Sequence, residues 1–505
     1  MTFNLIVEHM FLVLASITLS ILLGIPLGIC SYMVPKSKQL ILRIVDILQT
    51  IPALALLGLI MILAGPGKLT VVIGITLYSL LPVVQNTYLG LSGIDPGVKE
   101  AARGVGMTPF ERLSKIEFPI AFPSVFTGIR IALVNAIGIA VFAAFVGGGG
   151  IGGVMNKAIR IQDMKMILIA TGALMIIAVA LDLMMSISES QIRKSHSSMK
   201  RVVSSIIIVF VAFIATVPFQ IAGSNKAGDM IVYDGDYTES QIMHHMIKHL
   251  VEGKTDLNVT IKDQMSQVNN YKALIGKKHS CDLMISYDGT LLTTFLHKDP
   301  SDVPKGKSLY DYTNALGRKK EKLTMLGKLG FNNTYAVAVP KALAEKYKLK
   351  NISDLEKIAP KLVFGAEHEF FTEEGSMKYN PFVKFYNLNF KDHKSVDVSL
   401  KYSAIEKGEY DVTEVFATDG LNKKTNLVIL KDDKHFFPEY NGAFLVREDT
   451  FEKFAKTAPD LRKVLSMLDG KISTEEMSEL TYQVDVKGKT VDDVAIDFLK
   501  KKGIL

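Results

Sequence analysis

The stretch SGIDPGVKEAARGVGMTPFERLSKIEFP, residues 92–119, decides how the rest of the chain is read. Asp95 before Pro96 writes a helix start, because the carboxylate caps free N–H groups and proline pre-sets φ in the first turn. Gly104 and Gly106 end that helix. Thr108-Pro109-Phe110-Glu111 then reads as a capping box that opens a second short helix. The spacing predicts a compact helix–turn–helix whose Ala101, Ala102, Val105 and Met107 offer an apolar surface to a partner groove.

Outward from this segment the chain turns strongly apolar. Six runs approach the roughly 20 residues that a bilayer core requires: 5–34, 41–64, 69–91, 120–146, 166–187 and 202–222. The first lacks the positive flank of a secretion signal and is read as a retained span. Basic residues set the orientation. With the N-terminus outside, the cytoplasmic loops 35–43, 92–119 and 188–201 hold 11 Lys and Arg residues against 4 in the external loops. Six spans then put residues 224–505 outside. Asp46, Arg130 and Asp182 fall within or beside spans, where charge is costly. For Arg130, snorkelling to the surface and an interhelical pair both remain open. The glycine run 147–150, with Gly152 and Gly153, lacks the Gly-Lys-Ser/Thr of a nucleotide loop and reads as a flexible external break.

Composition separates the two halves. Residues 1–222 carry 16 basic and 9 acidic residues, whereas 223–505 carry 42 of each, so the net +7 of the 505-residue chain sits on the apolar half. No basic domain tracks phosphates, which excludes a nucleic-acid binder, and both halves are too apolar for a disordered chain. Two distant thiols, Cys30 and Cys281, build neither a disulfide framework nor a zinc cluster. Tryptophan is absent, so any aromatic binding surface must use Tyr and Phe.

The segment 92–119 resembles the EAA loop of ABC-importer permeases. Glu100-Ala101-Ala102, Gly106 four positions on, and Ile116-Glu117-Phe118-Pro119 carry the likeness, with Phe118 where Leu is usual. The resemblance implies a loop that docks into a separate cytoplasmic ATPase subunit and transmits its closure. Glu100, Ala101, Ala102, Gly106 and Pro119 are the expected coupling residues. No nucleotide motif is found, so no cofactor is expected on this chain, and ATP is expected to be used by the partner subunit.

From about residue 224 the pattern becomes that of a soluble α/β protein. Strand candidates at 231–233, 282–286, 336–339, 361–364, 411–416 and 427–430 alternate with helices, which predicts parallel sheets, two lobes, and ligand at strand ends between them. On the first helix, His244, His245 and His249 have metal-like spacing. They lie opposite the apolar stripe with no obvious carboxylate, so a solvated face is expected and no metal site.

Five segments resemble the extracellular binding proteins of the quaternary-amine osmoprotectant family: YDGDYTE at 233–239, SYDGTLLTT at 286–294, NNTY at 332–335, FATDG at 416–420 and FFPEY at 436–440. A trimethylammonium head donates no N–H hydrogen bond and is held against aromatic faces. The resemblance places that cage at Tyr287, Tyr335, Phe416 and Tyr440, with polar contacts at Asp236, Thr290, Asn333 and Asp419. Segment 365–375, GAEHEFFTEEG, lacks the arginine that family members often carry, with Thr372, Glu373 and Glu374 standing there. A bidentate clamp for a substrate carboxylate is therefore less expected than a choline-type site. His368-Glu369 also resembles the ergothioneine-uptake subgroup.

The expected architecture is an all-α transmembrane permease of type I ABC importers, 1–201, an additional helix and linker, 202–223, and a two-lobed α/β periplasmic-binding-protein-like domain, 224–505. The expected function is ATP-driven import of a quaternary-ammonium solute (choline, carnitine, glycine betaine or ergothioneine) across the cell membrane by a homodimer of fused chains with cytoplasmic ATPase subunits. A transport subunit is expected, not an enzyme. A membrane-anchored ligand sensor is the alternative, and an ion channel a remoter one, since no selectivity-filter-like segment stands between spans.

Overall fold

Proline and glycine punctuate the apolar half, and the helices break where they stand. The computed structural model describes residues 3–161, 163–194, 228–276, 280–371, 375–398 and 400–505. They form two compact units, a helical one and an α/β one. The sixth apolar run, 202–222, lies outside the described residues.

The helical unit runs α1 Phe3–Met33, α2 Pro35–Thr50, α3 Ala53–Ala64, α4 Lys68–Ser92, α5 Pro96–Gly104, α6 Pro109–Arg112, α7 Phe118–Ile139, α8 Ile151–Arg160 and α9 Met164–Lys194. Among the described residues, four helices are long and apolar enough to cross a membrane: Asn4–Met33, Lys68–Ser92, Pro109–Val146 and Met164–Ile192. The run 41–64, expected as one span, is instead a helix pair bent by 103°. Pro52 has no N–H to donate and pushes Ile51 out of helical space, to φ −72° and ψ 127°.

Helices α1, α4 and α7 share one core built on Leu12, Ile75, Val83, Ala132 and Ala136. Small residues let α1 and α4 close up: a Cβ on Gly28 would sit 2.5 Å from the Thr87 Cβ. Most of the apolar surface of α9 is exposed, as on a lipid-facing helix. Arg130 on α7 forks onto Asp182 of α9 at 2.6 and 2.9 Å and reaches Glu189 at 3.3 Å. It is an interhelical pair, not a snorkelling side chain. The glycine run is also more tied than expected, since Gly150 N–H donates to Glu8 Oε2 at 3.0 Å and Glu8 pairs with Lys68 at 2.6 Å.

The α/β unit has two lobes, the first with two small sheets and the second with one. In the first, β1 (Met230–Gly235) pairs parallel with β2 (Val259–Met265), while β3 (Leu283–Tyr287) and β4 (Leu323–Met325) flank β10 (Gly442–Arg447). In the second, β5 (Tyr335–Pro340), β6 (Val363–Glu367), β7 (Asp392–Val396), β8 (Val412–Phe416) and β9 (Leu427–Leu430) form a five-stranded sheet of order β7-β6-β8-β5-β9. Phe364, Phe370 and Phe382 are fully buried beneath it, each contributing about 1.5–3 kcal/mol by leaving water.

The expected parallel pairing holds for β1–β2 and for β6 with β7 and β8, but the three-stranded sheet is antiparallel and the five-stranded one mixed. β10 runs antiparallel to both neighbours, and β5 to β8 and β9. Both strands follow the two segments, 326–334 and 431–441, by which the chain passes between lobes, so no βαβ crossover fixes their direction. β10 is buried along its whole length yet matches no strand candidate from the sequence. The C-terminal helices Thr474–Asp485 and Val491–Lys501 return to the first lobe, where Met477, Val494 and Phe498 join its core.

Candidate functional site

Strand ends converge on a cleft of about 890 Å³ between the two lobes. Two pairs of aromatic rings face it. Tyr287 at the end of β3 stacks on Tyr440, ring centres 5.5 Å apart. Tyr335 at the start of β5 stacks on Phe416 at the end of β8, 5.4 Å apart, because antiparallel register makes the two residues direct partners. The first pair needs more support, since Tyr440 precedes its strand. Its backbone N–H donates to Asn332 Oδ1 at 2.6 Å, and Asn441 Nδ2 donates to Asp288 Oδ2 at 2.8 Å. Gly289 leaves the space for the ring: a Cβ there would lie 1.8 Å from the Tyr440 Cε2. Centres at these distances are those of rings packed on each other, and each pair borders the cleft.

The charge in the cleft has one dominant sign. Among the described residues its lining carries seven carboxylates, including Asp236, Glu239, Glu367 and Asp419, against one lysine, Lys401. Glu239 is fully buried, and that burial pushes its carboxyl up to about 7, while hydrogen bonds from Tyr287 and Asn333 work the other way. The Tyr287 hydroxyl is itself driven well above its usual range by burial and by Glu239, and so stays a donor. Asp419 is fixed by the Tyr402 hydroxyl at 2.7 Å and the Leu421 N–H at 2.9 Å. Burial works against the charge of Lys401, but Glu414 at 3.1 Å and Glu367 at 4.0 Å hold it above its ordinary range. Its ammonium lies 4.9 Å from the Phe416 ring centre and so occupies one face of that ring. A low-dielectric cleft lined this way concentrates cations.

All ten ligand residues expected from the sequence line this cleft: Tyr287, Tyr335, Phe416, Tyr440, Asp236, Thr290, Asn333, Asp419, His368 and Glu369. Thr290 Oγ1 shares a hydrogen bond with the Tyr440 hydroxyl at 2.7 Å. His368 and Glu369 are exposed on the single turn after β6. Thr372, Glu373 and Glu374 lie outside the described residues. Sequence reasoning missed Glu239, Lys401 and Glu367. Glu239 stands at the end of the quoted 233–239 segment and follows a strand and a turn, which was a usable signal. Lys401 is one of 42 basic residues in its half, and nothing local marks it as buried.

Segment 92–119 is built as its local chemistry dictates. Asp95 caps α5 by accepting from Gly97 N–H at 2.6 Å, and Thr108 and Glu111 form a reciprocal capping box on α6. Gly106 between them takes φ +79°, a conformation that side chains resist. Glu100 and Ala101 are exposed, and Pro119 stands half-buried in the first turn of α7. One expectation fails. Ala102 is buried because it faces inward, so it is not available to a partner. Phe110 takes its place: with Val105 it is 74% exposed, two large apolar side chains with nothing over them in this unit.

A family model described as "Binding-protein-dependent transport system inner membrane component" matches residues 20–194, and one described as "Substrate binding domain of ABC-type glycine betaine transport system" matches 230–501. The chain belongs to the binding-protein-dependent ABC importers. It resembles the ergothioneine transport permease/ergothioneine binding protein EgtU of Helicobacter pylori (strain G27), with 30% identity over 503 residues, 96% of this chain and 88% of that one. It also resembles the carnitine transport binding protein OpuCC of Listeria monocytogenes serotype 1/2a (strain 10403S), 34% identical over 52% of this chain and 83% of the relative. A crystal structure of a glycine betaine/carnitine/choline ABC transporter matches with a TM-score of 0.48 and 33% identity, over 55% of this chain and 99% of that one. As an importer component the chain is a fused permease and substrate-binding protein, spans the membrane several times, and is a transport subunit whose ATPase is a separate partner.

Proposed function

We propose that the importer captures a quaternary-ammonium cation in the cleft between the Tyr287/Tyr440 and Tyr335/Phe416 pairs and delivers it to the permease of the same chain. The supporting observation is the combination of two stacked aromatic pairs with an acid-rich lining. The cation head rests on ring faces, and the carboxylates balance its charge without a hydrogen bond to it. No arginine stands among the described lining residues, so Lys401, already engaged by Glu414, is the available cation for a substrate carboxylate.

Ergothioneine is the first compound to test, because the Helicobacter relative that bears its name matches both halves of the chain. Carnitine, glycine betaine and choline follow. The binding domain faces outside the cell, as the basic-residue count in the loops supports, and the importer works as a homodimer with two cytoplasmic subunits that use ATP. Calorimetry of the purified full chain against the four compounds tests the reading. Saturable binding of at least one, lost in Tyr287→Ala with Tyr335→Ala, is expected. Failure of all four to bind a folded protein would overturn it.

A further inference from the structure

A second group of donor atoms stands on the first lobe, and none of its residues lines the cleft. His245 and His249 are one turn apart on the helix Thr238–Lys254. The helix Val491–Lys501 packs against that one and brings Asp492 in its first turn. Asp492 Oδ1 lies 2.8 Å from His245 Nδ1 and 2.7 Å from His249 Nε2. One donor atom from each residue falls within 4.8 Å of the others. All three side chains are partly exposed, at 24, 21 and 46%, so the point on which they converge is open to solutes. The histidine spacing was visible in the sequence, but the third ligand was not. Sequence reasoning placed three histidines on a solvated face without a carboxylate, but the carboxylate comes from more than 240 residues away. His244 does not belong to the group: it is buried and accepts from the Ile285 N–H at 3.2 Å.

We propose that His245, His249 and Asp492 form a binding site for a first-row divalent cation of the zinc type, which ties the helix Val491–Lys501 to the helix Thr238–Lys254. Two imidazole nitrogens and one carboxylate oxygen are a borderline-soft donor set suited to Zn²⁺ and its neighbours rather than to calcium or magnesium. A rigid helix spaces the two imidazoles one turn apart, which is the spacing of His-x-x-x-His chelation. Both rings converge on the same carboxylate oxygen, although two hydrogen bonds alone would be served as well by using both oxygens. With bonds of about 2.0–2.1 Å, tetrahedral zinc separates its ligand atoms by about 3.3 Å. The present spacing must therefore widen by about half an ångström, a small pivot for side chains at a surface. Water fills the fourth position.

The test uses the full chain in detergent, stripped with a chelator and titrated with Zn²⁺ alone. The wild type should bind one equivalent more than His245→Gln/His249→Gln, with a rise in Tm that the double variant lacks. Asp492→Asn should weaken that equivalent by more than the roughly 10–100-fold caused by losing an outer partner of a ligand. Asp492→Glu, which keeps a carboxylate, should retain it. Cobalt(II) should give visible bands of a tetrahedral nitrogen–oxygen site in the wild type and not in the double histidine variant. Unchanged binding of a quaternary amine by each variant certifies that it is folded. Equal zinc stoichiometry and affinity in the wild type and a folded double variant would overturn the site.

Discussion

The two units of this importer treat charge in opposite ways. In the helical unit Arg130 is forked onto Asp182 and joined by Glu189, and Glu8 is matched by Lys68. Charge there is neutralised across helices, and its role is to hold them together where solvation is poor. In the cleft of the α/β unit the carboxylates outnumber the lysine seven to one. An excess of one sign does not strengthen a fold, because like charges repel and the buried Glu239 and Glu367 lose hydration as well. On the proposed function, a cationic ligand brings the missing charge. Balanced charge marks structure in the helical unit, and under the proposed function the unbalanced charge of the cleft marks recognition.

The strongest separation of the two units comes from the coupling segment. Gly106→Val forces a β-branched residue to φ +79° and should abolish uptake, while the cleft binds its cation with unchanged affinity. Uptake at the wild-type rate by a normally expressed variant would remove the coupling role. Next comes Arg130→Gln, which strands Asp182 and Glu189. A lower Tm for the full chain in detergent is expected, with the dissociation constant unaltered. An unchanged Tm would show that the pair is not structural.

Charge in the cleft should respond in the reverse sense. A ring face lost from the cage removes on the order of 2 kcal/mol, so Tyr287→Ala or Tyr335→Ala should weaken binding roughly 30-fold. Tyr335→Phe keeps the face and should change affinity only a few-fold. If the alanine variants instead lose thermal stability in proportion to affinity, the rings are packing groups.

Glu239 sharpens the contrast, because neutralising it should weaken binding yet stabilise the fold. Its carboxyl is raised from 4.5 to about 7 by burial. The folded unit keeps this proton at pH values where the unfolded chain has lost it. Stability of the unliganded unit should thus fall as pH rises from about 4.5 to 7 and level off above. A cation in the cleft favours the ionised form, so affinity should rise across pH 6–8 with release of a proton. Glu239→Gln should flatten both profiles and raise the Tm at pH 8. Calorimetry in buffers of different ionisation enthalpy reads the proton directly; no proton release in the wild type would show that Glu239 does not face the cation.

Much of this protein is determined within a few residues of chain. The caps at Asp95 and Thr108 and the left-handed Gly106 act over one helical turn, so the coupling segment is readable wherever its sequence appears. Apolar runs of membrane length are equally local, and so is the aromatic content of the quoted cleft segments. The bend at Pro52 was legible in principle, since proline and the residue before it cannot continue a helix, but hydropathy alone joined the two halves into one span. What only the tertiary structure decided depends on register and on passage between lobes. Tyr335 meets Phe416 because two strands pair with one offset, and Tyr440 meets Tyr287 because Asn332, Asn441 and Asp288 pin one crossing segment to a strand end. Lys401 becomes a buried partner of Glu414, and Asp492 reaches His245 and His249, only once elements distant in sequence pack together. Local hydrogen bonding and hydrophobicity are properties of a short segment, whereas burial, pairing and the sign of a cleft belong to the folded chain as a whole.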